Sequence, residues 1–123
     1  MIYADNAATT KISDAAKDKM MEGMGRLWGN PSSLYAFGQE AKTALEEARE
    51  AVANSLGASA GEVYFTSGGS EADNQAIISA AAAGERKGKK HIVSTKFEHH
   101  AVLHTLKQLE KRGFTVTLLD VHE

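Results

Sequence analysis

The chain has 123 residues with 14 lysine or arginine against 16 aspartate or glutamate, and a formal charge of −2 excludes a polycationic surface for nucleic acid or anionic lipid. It contains no cysteine, which excludes disulfides, thiolate metal sites and a cysteine nucleophile within these residues. The length suits one domain, but much of the 42% hydrophobic fraction is alanine, so few large side chains are available for a core.

An extended arm, one helix and a loop are predicted for residues 1–38. Residues 1–12 are polar and show no helical period. Ser13 is a candidate N-cap, and the apolar spacing after it predicts an amphipathic helix that ends near Trp28. The sequence Gly-Asn-Pro-Ser-Ser at 29–33 holds the one proline of the chain and predicts a loop.

An alternating pattern of helices and strands follows from residue 39. A helix is predicted over 39–56, with Gly57 placed to end it. Three strands are predicted at 62–66, 91–95 and 114–119, separated by a helix of small residues after the first strand and by a helix over 98–112. This alternation indicates a βαβαβ arrangement with a parallel sheet, and therefore an α/β fold.

The turn Ser67-Gly68-Gly69-Ser70 joins the first predicted strand to a helix. Unpaired amides and the positive end of the helix dipole converge at such a position, and the glycines let an anion approach the backbone, which suits a phosphate. The alternative is a tight structural turn in which Ser70 is an ordinary N-cap and Asp73 completes a capping-box-like pair. The pattern is neither a P-loop nor a dinucleotide fingerprint.

Three histidines lie in the helix predicted after the second strand. His99 shares a helical face with Val102 and Leu106, so we expect its imidazole to point toward the sheet, where it could stack on a planar ligand or relay a proton. The alternative is a histidine at a helix start that packs against the core. His100 and His104 are four residues apart, but no third ligand is evident and we predict no metal site. The histidine and the glycine turn together suggest one site for a planar cofactor that bears a phosphate.

Four motifs occur in an order and spacing that match a known family. They are the arm over residues 3–10, the loop 29–33 with Phe37-Gly38 after it, the segment 65–74 and the segment 98–103. Together they resemble the amino-terminal third of cysteine desulfurases. The resemblance implies a pyridoxal 5′-phosphate enzyme of the class-V aminotransferase group with fold type I. Such enzymes convert L-cysteine to L-alanine and pass the sulfur as a persulfide to an acceptor or scaffold protein, for iron–sulfur cluster or thiolated-cofactor assembly.

The resemblance assigns roles to three residues. It places Gly69 and Ser70 at the cofactor phosphate, and His99 against the pyridine ring, where a histidine assists proton transfer. The family more often has Ala-Thr at positions 69–70, often has histidine at Tyr35 and has lysine at His100. These departures concern the subgroup within the family.

Other parts of the family's active site are implied to lie outside these 123 residues. They are the lysine that binds the cofactor covalently, the acid beside the pyridine nitrogen, the arginine for the substrate carboxylate and the persulfide cysteine. We therefore expect an inactive amino-terminal fragment, with the arm, helix and loop at 1–38 and the start of the large α/β domain at 39–123. We expect the full-length enzyme to bind pyridoxal 5′-phosphate and this fragment to bind it weakly or not at all. The alternatives are another class-V enzyme, such as a selenocysteine lyase or an aminotransferase, or a noncatalytic truncated chain that acts only in assembly.

Partners and location follow from the same considerations. Strand 62–66 would lack its family neighbours, which predicts a homodimer or an oligomer that exchanges elements. We expect no nucleic-acid or membrane partner. No apolar run is long enough to span a membrane, and the first residues lack a basic segment followed by an apolar one, so we expect a cytoplasmic protein.

Overall fold

The computed structural model of the protein describes residues 2–121. These residues form two compact units, one that ends at Tyr64 and one that begins at Phe65. None of the helices within residues 2–121 is long and apolar enough to cross a membrane. The division of the chain at residue 38 into an arm region and the start of a large domain stays a prediction.

The first unit contains two helices. α1 spans Asp14–Arg26, and Ser13 caps it by accepting a hydrogen bond from the Ala16 amide (3.2 Å). α2 spans Ala36–Leu56 and ends at Gly57, whose φ of 66° lies in the left-handed region that glycine adopts without steric cost. Both predicted helices and both terminal signals are confirmed, although α2 begins at residue 36 rather than 39.

The loop 29–33 packs tightly against the first turn of α2. The Ser33 amide donates to the Asn30 carbonyl oxygen (2.9 Å), and the Gln39 side chain donates to the Ser33 carbonyl oxygen (2.6 Å). Gly38 is buried beneath this loop, and a Cβ there would lie 2.5 Å from the Asn30 carbonyl oxygen and 2.7 Å from the Ser33 Cβ. The close approach of loop and helix therefore requires glycine at position 38.

The predicted strand at 62–66 is wrong. Residues Ala60–Glu62 form a 3-10 turn that a capping box between Ser59 and Glu62 holds in place, and Val63 is extended but joins no sheet in the described part of the chain. The Val63 carbonyl oxygen instead accepts a hydrogen bond from the Arg49 guanidinium (2.5 Å). A β-branched and aromatic run becomes a strand only where a neighbouring strand pairs with its backbone, and the local sequence does not carry that information.

The second unit is a β-α-β motif preceded by a helix. Its elements are α3 (Gly69–Glu85), β1 (His91–Thr95), α4 (His100–Lys111) and β2 (Thr115–Leu119). The two strands pair in parallel, with His91 opposite Thr115 and Thr95 opposite Leu119. The α/β class, the second and third predicted strands and their parallel pairing are thus confirmed.

The core of the second unit is small. Ala81, Leu109 and Phe114 are buried together, and Ile77 and Ile92 pack against them. The buried side chain that α3 contributes to this cluster is an alanine, which adds little apolar area to the core. This agrees with the shortage of large apolar residues in the sequence.

Replacing Gly38 with alanine should destabilise the first unit, because the added Cβ collides with the backbone of the loop. We expect a loss of about 1–3 kcal/mol in the free energy of unfolding, measured by urea denaturation followed by circular dichroism. Gly23→Ala is the matched control, since a Cβ at position 23 of α1 meets nothing within 4 Å. The control should leave stability unchanged or raise it by about 0.5–1 kcal/mol. Equal stability of the two variants would contradict the role of Gly38.

Candidate cofactor-binding site

The amino terminus of α3 is open to a ligand. Gly68 is its N-cap, and no side chain in the described part of the chain caps the helix. The amides of Gly69, Ser70 and Glu71 have no carbonyl partner within the helix, and the positive end of the helix dipole lies beside them. A Cβ on Gly68 or Gly69 would meet nothing within 4 Å, so the space beside these amides is accessible. The arrangement fits a phosphate group.

The residue before the two glycines is held by an acidic side chain of α3. Glu71 Oε2 accepts hydrogen bonds from the Ser67 amide (2.6 Å) and from the Ser67 hydroxyl (2.7 Å). These hydrogen bonds, that from the amide first, favour the ionised carboxylate and hold the pKa of Glu71 below its ordinary value. Because the Glu71 carboxylate is engaged with Ser67, it does not occupy the amides of Gly69 and Ser70.

The structural alternative for this turn is wrong in detail. Ser70 lies within the first turn of α3 and is not its N-cap, so it forms no capping-box pair with Asp73. Because Gly68 is the N-cap, the chain enters the helix two residues earlier than that alternative requires. The carboxylate that reaches back belongs to Glu71, four residues after Ser67.

His99 is the N-cap of α4. Its Nδ1 accepts a hydrogen bond from the Ala101 amide (3.1 Å), and its carbonyl oxygen accepts from the amides of Val102 (2.9 Å) and Leu103 (3.1 Å). An Nδ1 that accepts a hydrogen bond carries no proton, so the neutral ring bears its hydrogen on Nε2. The capping bond fixes the ring at the start of the helix and leaves the Nε2 side free for a ligand.

The expected direction of the His99 side chain is wrong. The residue is exposed, so it neither points into the sheet nor packs against the core. The prediction extended the helical face of Val102 and Leu106 back to residue 99. An N-cap residue has non-helical backbone angles, and its side chain turns toward the amides of the first helical turn instead.

The structure brings the two helix starts to the same end of the second unit. Asn74 contacts Thr105, and each of these residues stands five positions after the first residue of its helix. Farther along, Ala81 of α3 and Leu109 of α4 share the core, so the helices run in the same direction. With a rise of about 1.5 Å per residue, both helices begin roughly 7.5 Å before the contact of Asn74 with Thr105. The free amides of α3 and the imidazole of His99 therefore lie on one side.

His100 and His104 lie on the exposed side of α4. The His100 and His104 rings are exposed, with their centroids 5.7 Å apart. Within residues 2–121 there is no group of three or more potential histidine or carboxylate ligands. A pair of neighbouring rings on an exposed helix face accounts for these two residues.

Sequence reasoning missed three residues that shape this region. Glu71, Asn74 and Thr105 bind Ser67, Ser70 and Ala101 through hydrogen bonds. Two signals were available. Asn74 stands four residues after Ser70, which is the spacing of side-chain contacts along a helix. Thr105 is a polar residue on the apolar stripe formed by Val102, Leu106 and Leu109.

The sequence and the fold match one known family throughout. The profile of the family described as aminotransferase class-V matches residues 2–123. The chain belongs to the class-V aminotransferase family. The cysteine desulfurase IscS of Clostridium botulinum is 49% identical over 122 residues, which are 99% of this chain and 30% of that protein. The putative cysteine desulfurase IscS 1 of Bacillus subtilis is 46% identical over 122 residues, which are 99% of this chain and 32% of that protein.

The backbone of this chain also superimposes on those of two solved structures. A NifS-like protein superimposes with a TM-score of 0.85 at 39% identity, covering 94% of this class-V chain and 31% of that protein. SspA in complex with cysteine superimposes with a TM-score of 0.84 at 36% identity, covering 95% of this chain and 33% of SspA. The α/β fold is therefore that of part of a fold type I protein. The chain spans about a third of the length of the relatives it matches.

The Ser67–Glu71 pair should respond to acid. Because the folded-state pKa of Glu71 is below its ordinary value, its contribution to stability is present above that value and is lost as pH falls through the folded-state pKa. We expect the NMR resonance of the Ser67 amide to titrate with the Glu71 carboxyl, at a pH below the range usual for glutamate.

Glu71→Gln should abolish this acid transition at Ser67. The Ser59–Glu62 pair in the first unit is an internal control, since its carboxylate also has a lowered pKa from hydrogen bonds to the amide and side chain of Ser59. The variant should leave the titration of the Ser59 amide unchanged. A Ser67 amide that still titrates in Glu71→Gln would refute the assignment.

Proposed function

We propose that this chain forms the phosphate-binding and ring-binding part of the pyridoxal 5′-phosphate site of a cysteine desulfurase. The observation that carries the proposal is the open amino terminus of α3 at the same end of the unit as the imidazole of His99. The named activity of the relatives and the cysteine bound by SspA support L-cysteine as the substrate.

The proposed phosphate contacts come from the first turn of α3. The amides of Gly69 and Ser70 donate to phosphate oxygens, and the Ser70 hydroxyl adds a third donor. Because helix geometry leaves these amides without carbonyl partners, binding breaks no backbone hydrogen bond. The glycine at 69, where the family more often has alanine, leaves open space beside the first of these amides.

The proposed ring contact comes from His99. Its capping bond to the Ala101 amide holds the imidazole in one orientation, so a planar ligand can stack on a ring that is already ordered (3.1 Å from Nδ1 to the amide nitrogen). The hydrogen on Nε2 can be donated to a ligand or substrate atom beside it. When bound, pyridoxal phosphate supplies an electron-accepting ring that stabilises negative charge on the substrate carbon.

The proposal extends to the whole enzyme. Since the chain spans about a third of its relatives, we propose that it is an amino-terminal part and that the cofactor lysine and the persulfide cysteine belong to the remainder. Exposed apolar side chains such as Trp28 and Leu34 in the first unit and Val93 and Leu119 in the second support a homodimer or exchanged oligomer. A sulfur acceptor for iron–sulfur assembly and a cytoplasmic location remain predictions.

A proline at position 69 tests the phosphate contact directly. Proline is favoured at the first position of a helix, so Gly69→Pro keeps α3 while deleting one amide hydrogen. We expect about tenfold weaker binding of pyridoxal 5′-phosphate, measured by NMR titration of the Ser70 amide. Gly69→Ala is the matched control, because it keeps the amide hydrogen and its Cβ has open space. Equal affinities of the two variants would count against the phosphate site.

His99→Asn tests the ring contact without removing the helix cap, because asparagine is a good N-cap residue. The variant should bind pyridoxal 5′-phosphate roughly three- to tenfold more weakly, since the aromatic contact is lost. Its affinity for inorganic phosphate should not change. A parallel loss of affinity for both ligands would show that His99 has no specific contact with the ring.

The purified 123-residue chain with added pyridoxal 5′-phosphate and L-cysteine should release neither alanine nor sulfide. The reason is that none of its lysines occupies the family's cofactor-binding position and the chain has no cysteine. Alanine is measured by amino-acid analysis, and sulfide is measured by methylene blue formation. Cysteine-dependent release of alanine above that of a sample without protein would refute the proposed inactivity.

A further inference from the structure

One polar side chain is buried between α3 and α4. Thr105 is 3% exposed and lies among the apolar residues Leu106 and Leu109 of the same helix. No other polar or charged residue of the described chain is as fully buried. A buried hydroxyl costs free energy unless it is hydrogen-bonded, so its partners are part of what holds this interface.

The partners of Thr105 connect the two parts of the proposed cofactor site. The Asn74 side-chain nitrogen donates to the Ser70 carbonyl oxygen (2.5 Å), and the Asn74 side-chain oxygen contacts the Thr105 hydroxyl. The same hydroxyl lies 2.8 Å from the Ala101 carbonyl oxygen, and the Ala101 amide donates to His99 Nδ1 (3.1 Å). A continuous series of short contacts thus runs from the first turn of α3 to the imidazole that caps α4.

The apolar contact between the helices is small. Ala81 is the buried side chain that α3 contributes to the core, and the half-buried Ile77 packs beside it. Displacement along the axis would separate the Asn74 side-chain oxygen from the Thr105 hydroxyl, which would keep only its contact with the Ala101 carbonyl oxygen of its own helix. Because a hydrogen bond depends on both distance and direction, this pair favours one relative position of the two helices.

We propose that Asn74 and Thr105 are positioning residues that fix the distance between the phosphate-binding amides of α3 and the imidazole of His99. The inference rests on the proposed function, because it assumes that one ligand bridges the two helix starts. Neither residue touches that ligand in this proposal. A ligand that contacts both ends, such as pyridoxal 5′-phosphate, depends on the distance, whereas inorganic phosphate contacts only α3 and does not.

The test compares three substitutions in the whole 123-residue chain. Thr105→Val removes the hydroxyl and keeps the shape, Thr105→Ser keeps the hydroxyl, and Thr43→Val makes the same change at an exposed position of α2. Thr105→Val should weaken binding of pyridoxal 5′-phosphate about tenfold with affinity for inorganic phosphate unchanged. Thr105→Ser should restore the affinity to within about twofold, and Thr43→Val should have no effect.

A second measurement needs no ligand. In NMR spectra of the free chain, Thr105→Val should shift the Gly69 and Ser70 amide resonances, which belong to the opposite helix, and Thr43→Val should not. If the unmodified chain binds inorganic phosphate but not pyridoxal 5′-phosphate, the proposed function fails, and the positioning role is decided by these shifts alone. Unchanged shifts at Gly69 and Ser70 would overturn the positioning role even if the cofactor binds.

Stability is measured beside affinity so that a purely structural role is recognised. Equal losses of affinity for inorganic phosphate and pyridoxal 5′-phosphate in folded Thr105→Val would overturn the proposal. If Thr105→Val does not fold, Asn74→Ala provides the same comparison, because Asn74 is only half-buried and its replacement disturbs the core less. If neither variant folds, the pair serves the fold alone and the proposal is overturned.

Discussion

The parallel packing of α3 against α4 is the constraint on which the candidate site depends. Each helix has amides without partners and a positive dipole end at its start, and two such ends repel each other when helices run side by side. The first end stays open at Gly68 and Gly69, while His99 caps the second with its own side chain. The site thus combines one helix start that can receive an anion with one that presents an ordered ring.

The β-α-β unit explains why the two starts lie together. β1 and β2 are parallel, so α4 must return along the sheet in the opposite direction to both strands and begin beside the carboxyl end of β1. α3 packs against α4 in the same direction, through Asn74 and Thr105 near the starts and through the core farther along. A site at this edge of the sheet is a consequence of the connection between parallel strands.

The sequence predicted the helices and paired strands well because their signals are local. Ser13, Gly57 and the apolar spacing of α4 act within a few residues of where they stand, and each has the expected structure. The prediction of a strand at 62–66 was wrong because strand formation there depends on pairing with a strand elsewhere in the chain. The composition of the segment is equally compatible with an unpaired extended segment.

The elements that carry the candidate site were predictable from the sequence, but their hydrogen bonds were not. The glycine turn and His99 follow from the motif and the topology, whereas the hydrogen bonds of Glu71, Asn74 and Thr105 depend on side-chain directions that no residue pattern specifies. His99 shows the limit most clearly. The helical period places it on an apolar face, but its position one residue before the helix gives it different backbone angles and an exposed ring.

The cap formed by His99 also gives its hydrogen bonding a direction. In the neutral ring one nitrogen holds the hydrogen and the other shares its lone pair with the Ala101 amide, so the ring has a single donor left and no free acceptor. A group that meets this edge of the ring therefore has to accept a hydrogen bond. The helix start thus selects which kind of atom can lie beside the imidazole, although it makes no contact with that atom itself.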